Sequence, residues 1–133
     1  MKINAYLNFD GNCAEAFRFY AEVLGGKIGF LQTFAESPMA EQAPPEMRDR
    51  VLHVRLDVGD QMLLGSDAMA GRYQKPQGFA VSLIVSATEA ARIFPALADG
   101  GTVQMPLQQT FWAAAFGMVT DRFGTPWIVN GEA

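Results

Sequence analysis

Residues 12–26, NCAEAFRFYAEVLGG, return in altered form as residues 86–101, SATEAARIFPALADGG, and this recurrence decides the fold. Both stretches open with a small polar residue followed three positions later by Glu, Asn12 with Glu15 and Ser86 with Glu89. That spacing is a capping box, in which two side chains satisfy backbone N–H groups left over at a helix start. Each stretch continues through an apolar, aromatic-bearing stripe and ends in Gly25-Gly26 or Gly100-Gly101. Glycine just past the last turn takes the left-handed conformation at little cost. Pro95 lies inside the second helix and is expected to kink or split it. A repeat at more than half the chain length implies two similar modules rather than a solenoid.

Outward from the first helix, residues 3–9 alternate strictly, with Ile3, Ala5, Leu7 and Phe9 on one face and Asn4, Tyr6 and Asn8 on the other. This pattern predicts a strand with one face on a core. KIGFLQTF after the helix is a second strand. Residues 35–50 carry Pro38, Pro44 and Pro45 and form a long loop, either a binding loop or a loose excursion. In VLHVRLDV, 51–58, parity assigns Leu52, Val54, Leu56 and Val58 to one face and His53, Arg55 and Asp57 to the other. Gly59-Asp60 is a hairpin turn into QMLLGS, and a second polar loop covers 66–78. The second half repeats the order through FAVSLIVS, the second helix, TVQMPLQQ, TFWAAAFGMVTD and TPWIVN. The expectation is an α+β chain with strand–helix–strand–strand–strand occurring twice.

With 133 residues, half of them hydrophobic and 18% charged, the chain has the composition of one soluble globular domain, with module one about 1–66 and module two about 78–131. A formal charge of −4 without a basic run argues against nucleic acid and anionic membranes. No apolar run approaches the roughly 20 residues of a membrane-spanning helix, and no signal-peptide pattern opens the chain, so a cytoplasmic location is expected. The single cysteine, Cys13, excludes an internal disulfide and a Cys-rich metal cluster. Its place in the first helical turn admits an activated thiol, but spacing from Phe17, Tyr20 and Leu24 sets it on the apolar stripe. A buried structural cysteine is the favoured reading.

If the apolar strand faces pack on the helices, the other faces line whatever the sheet encloses. They would supply Asn4, Tyr6, Asn8, His53, Arg55 and Asp57 from the first half, and Ala80, Ser82 and Ile84 from the second, with Trp112 and Phe116 nearby. A mostly apolar concavity with a few convergent polar groups suits a small molecule.

YLNFDGNCAEA at the start, GDQMLLGSD in the middle and MPLQQTFWAAAFGMVTDRFGTPW at the end resemble the PhnB-like branch of the vicinal oxygen chelate superfamily. That superfamily includes glyoxalase I, bleomycin-resistance proteins and extradiol dioxygenases. The resemblance implies paired βαβββ modules, a cup-shaped mixed sheet with helices outside, and a homodimer. It also implies divalent-metal ligands on four strands. Carried over, those positions fall near Asn4, Leu64, Ala80 and Ile128, where no matching His, Glu or Asp stands. No metal and no other cofactor is expected, which puts glyoxalase, dioxygenase and metal-dependent thiol-transfer activities in doubt.

The candidate ligand-binding residues are therefore Asn4, Tyr6, Asn8, His53, Arg55, Trp112 and Phe116, with no catalytic residue assigned. His53, the only histidine, admits three roles: a strand histidine paired with a neighbour, a ligand-bonding residue, or a lone acid/base. Arg55 and Asp57 form either an internal pair or an anion site. Asp121, Arg122 and Gly124 of the DRFG segment point to a structural turn. Trp112, Phe116 and Trp127 are core residues unless Trp112 stacks on a flat ligand. The favoured function is metal-free binding of a small organic molecule, with loops 35–50 and 66–78 over the cup's mouth. Two alternatives stay open. One is an enzyme using an atypical metal site or His53 as acid/base; the other is a structural or regulatory dimer. A methyltransferase would be expected to show a glycine loop between a strand and a helix start, whereas these Gly-Gly pairs follow helices.

Overall fold

Strand–helix–strand–strand–strand occurs twice in the computed structural model, which describes residues 1–133. The first set is β1 (Tyr6–Phe9), α1 (Cys13–Leu24), β2 (Lys27–Thr33), β3 (Val51–Val58) and β4 (Gln61–Asp67). The second is β5 (Val81–Ser86), α2 (Ala87–Ala98), β6 (Thr102–Gln108), β7 (Ala115–Thr120) and β8 (Pro126–Glu132). Each set closes into its own four-stranded mixed sheet, ordered β1-β4-β3-β2 and β5-β8-β7-β6. The first strand of each sheet runs parallel to the last, and the remaining pairs are antiparallel. The chain divides into compact units at Met1–Gln74 and Lys75–Ala133. The fold is thus α+β, two βαβββ modules, as expected.

In the first unit α1 buries Cys13, Ala16, Phe17, Tyr20 and Val23, the stripe its spacing predicts. Phe17 and Tyr20 meet edge-on with ring centres 5.6 Å apart, and Phe9 of β1 joins them. Gly65 of β4 lets the Phe17 ring lie on the sheet: a Cβ there would stand 2.6 Å from that ring. Removing such a ring costs about 3–5 kcal/mol. In the second unit α2 buries Ala90, Ile93, Phe94 and Leu97, with Phe94 over Gly117 and Ala90 over Gly131.

The two helix starts are built differently. Ser86 caps α2 as expected, its hydroxyl accepting from the Glu89 N–H at 3.1 Å, while Glu89 turns to Arg92 instead of completing the box. Asn12 makes no side-chain cap at all. The buried Asp67 carboxylate, from the end of β4, does this work: Oδ1 accepts from the N–H groups of Gly11 and Cys13, and Oδ2 from Val51.

Both helices end as the glycine pairs demand. Gly25 and Gly100 take positive φ, 70° and 72°. The following Gly26 and Gly101 bring the chain against the backbone carbonyls of Asp57 and Thr120.

Three expectations need correction, and one open alternative is narrowed. Regular β1 begins only at Tyr6, where pairing to β4 starts; Ile3 is 90% exposed and Asn4 lies outside the strand. A bulge between the Gln32 and Thr33 pairings leaves Leu52 as the extra residue, so Val51 is buried in its place. Pro95 does not split α2, which runs unbroken to Ala98. Only its last turn loses a bond, and buried Phe94 and Leu97 hold that turn against the roughly 3 kcal/mol an interior proline costs. Residues 35–50 are a series of turns rather than a loose excursion. Buried Ser37 and Met47 pin them, and Arg50 bonds to Asp10 and to the Ala68 carbonyl.

The outer strands β2 and β6 pair on one side only, and each has two register breaks; Pro106 lies inside the second break of β6. No helix is long and apolar enough to cross a membrane.

Candidate functional site

On the first sheet, the face opposite the α1 core carries the polar residues. Register aligns Tyr6 of β1, Leu64 of β4 and Arg55 of β3 in one row, with Phe30 of β2 paired beyond Arg55. His53, paired with Gln32, meets this row. The Tyr6 hydroxyl lies 3.3 Å from His53 Nδ1, and their rings stack with centres 5.8 Å apart. Phe30 flanks the imidazole at 6.0 Å. The contact serves either tautomer: the phenol donates when the imidazole proton is on Nε2, and its oxygen accepts when the proton is on Nδ1.

Asn8 Oδ1 accepts from the Ser66 hydroxyl at 3.3 Å on the same face. Arg55 bonds Asp57 at 3.0 Å, and both side chains are 40% exposed. The pair lies over Gly29, where a Cβ would collide with both groups. A half-exposed pair of this kind is worth at most about 1 kcal/mol, so its effect is to neutralise Arg55 rather than to stabilise the fold. The structure therefore brings Tyr6 and His53 together, joins Asn8 to Ser66 and Arg55 to Asp57, and leaves Asn4 on the half-buried approach to β1.

On the second sheet the corresponding face is mostly apolar. Ser82, Ile128, Met118 and Met105 form one row, and Ile84, Asn130, Phe116 and Gln108 the next. Ala80 precedes β5. Trp112, from the loop before β7, sits edge-on to Phe116 at 5.2 Å and to Phe111 at 4.6 Å, and is 52% exposed. Trp127 by contrast is core, its indole N–H donating to Asp121 Oδ2 at 2.8 Å. Asp121 Oδ1 also accepts from the Phe123 and Thr125 N–H groups, which makes DRFG a structural turn.

The residues at the superfamily's metal positions do not fit a divalent cation. Leu64 stands in register between Tyr6 and Arg55, and Ile128 between Ser82 and Met118. A divalent cation in such a site takes His, Glu or Asp side chains, and the aliphatic Leu64 and Ile128 offer it no donor atom. No three His, Cys, Asp or Glu side chains are grouped so as to hold a metal. Cys13 is fully buried, and burial, with the Asp67 charge adding to it, pushes its thiol far above the ordinary range. It is a core residue rather than a nucleophile.

Two residues of these faces escape sequence reasoning. Phe30 reaches His53 through the β2–β3 register, which bulges make unreadable from parity alone. Asn130 shares a row with Phe116 only once β7 and β8 are paired.

The family model for 3-demethylubiquinone-9 3-methyltransferase matches residues 1–130. Protein YjdN of Escherichia coli K12 is 34% identical, over 98% of this chain and 95% of its own length. The crystal structure of protein PA1353 from Pseudomonas aeruginosa is 48% identical, with a TM-score of 0.91 and 99% and 98% of the two chains covered. Manganese-bound FosX from Listeria monocytogenes, solved with dihydroxypropylphosphonic acid, shares the fold at 6% identity. Its TM-score is 0.69, over 100% of this chain and 93% of its own.

Proposed function

We propose that this chain, which belongs to the 3-demethylubiquinone-9 3-methyltransferase family in the PhnB-like branch of the vicinal oxygen chelate superfamily, binds a small organic molecule without a divalent metal. The observation that carries this reading is the pairing of Tyr6 with His53 beside Phe30. Aromatic surface and neutral polar groups lie together, half open, on the face opposite the core. Asn8, Arg55, Trp112 and Phe116 extend the binding faces, and Asn4 lies at their margin. Recognition is by stacking and hydrogen bonding, since Arg55 is already neutralised by Asp57. The homodimer and the cytoplasmic location belong to the same reading.

The test is a thermal melt of metal-stripped protein against divalent metals and against a panel of flat organic compounds. Binding at about 100 times the dissociation constant adds about 2.7 kcal/mol, roughly 5–15 °C for a chain of this size. The expected result is shifts from organic compounds only. A selective metal shift with near-stoichiometric metal in the purified protein would overturn it.

The Tyr6–His53 contact also favours a second reading, an enzyme in which His53 moves a proton on a small metabolite. His53→Ala separates the roles: lost turnover with retained affinity selects the enzyme, whereas lost affinity alone selects the binding role.

A further inference from the structure

Asn130 is the one place where a buried side-chain polar atom has no match. Its Oδ1 is shielded from solvent and has no hydrogen-bond partner. Its neighbours across the sheet are Ile84 on β5 and Phe116 on β7, and its neighbour two residues back on the same face is Ile128. None of these can donate a hydrogen bond. An acceptor held in this state costs about 1–3 kcal/mol, whereas an aliphatic side chain of similar size would cost nothing. Every other polar pair described on these faces is internally satisfied, Tyr6 with His53, Asn8 with Ser66 and Arg55 with Asp57.

We propose that Asn130 Oδ1 is the hydrogen-bond acceptor for a flat aromatic or heteroaromatic ligand that carries an N–H or O–H donor. This rests on the small-molecule reading above and narrows its ligand class. The ligand body packs on Phe116 and Trp112, whose rings meet edge-on at 5.2 Å and leave Trp112 half exposed. Ile84, 66% exposed beside Asn130, is the side chain that gives way as the donor reaches the oxygen. Anionic groups are disfavoured here. A carbonyl oxygen repels carboxylate and phosphonate oxygens, and the carboxylate of Glu132 is two residues along the same strand face. The class is therefore neutral or cationic.

Indole and 1-methylindole are matched probes, flat and neutral, differing by the single N–H. Calorimetric titration of the wild-type protein is expected to show indole binding about five- to tenfold more tightly, the worth of one such bond. The side-chain amide of Asn130 should move in the NMR spectrum with indole. In Asn130→Leu the preference should vanish while the melting temperature holds or rises, because an unmatched acceptor has been removed. Equal affinity of the two probes for the wild-type protein overturns the acceptor role and leaves the broader binding reading intact. Failure of both to bind also overturns it, and the broader reading then stands on its own melt. A preference that survives in Asn130→Leu assigns the donor contact elsewhere and overturns it as well.

Discussion

The two modules share a topology and differ in how they satisfy it. α2 takes its cap from Ser86, the residue next to it in sequence, whereas α1 takes its cap from Asp67, which lies beyond the whole of β2 and β3, at the end of β4. The sheet faces opposite the cores differ in the same sense. The first sheet presents polar groups already bonded to one another, and the second presents mostly apolar surface with a single buried acceptor left unmatched. A duplicated frame thus keeps its strand order while its polar interactions are redistributed, short-range in one copy and long-range in the other.

Breaking the two caps should give the largest contrast. Asp67→Ala leaves three backbone N–H groups without their acceptor and should cost about 3–5 kcal/mol, read as a loss in urea unfolding free energy. Ser86→Ala should cost about 1 kcal/mol in the same measurement. Comparable losses would mean that α1 does not depend on its distant partner. Between these falls Asp121→Asn, which keeps an oxygen for the turn but sets an amide against the Trp127 indole N–H. A loss of about 1–3 kcal/mol is expected, together with a displaced Trp127 indole proton resonance.

The smallest effect sharpens the contrast at a surface turn. The Thr33 N–H and hydroxyl hold the Glu36 carboxyl below the usual glutamate range. A folded value below the unfolded one means that the contribution is present above the unfolded value. It is lost as pH falls through the folded midpoint. NMR titration should place the Glu36 midpoint below that of an exposed glutamate, with Thr33 shifts following it; an ordinary midpoint would dissolve the assignment.

What was legible in the sequence was local. The Ser86 cap, the glycine exits, the Gly59 turn, the alternation in β3 and β5 and the DRFG turn all depend on neighbours a few residues away. The Asp67 cap was not legible, because it needs β4 already placed beside the start of α1. Parity failed at Leu52 because a bulge shifts the face by one residue, which only pairing with β2 reveals. Of the candidate site, Tyr6 and His53 were legible as members of one face. Phe30 and Asn130 were not, since cross-strand register brings each to its neighbours.

The interrupted outer strands bear on solubility. A sheet edge offers a row of amide and carbonyl groups to any extended chain that meets it, the route to fibrils. On β2 the longest evenly paired run is Phe30–Gln32, and on β6 it is Thr102–Val103, with Pro106 withholding a donor further along. Neither of these two edges can template a long ladder, so irregularities that look like imperfections guard the β2 and β6 sides of the sheets against edge-to-edge pairing.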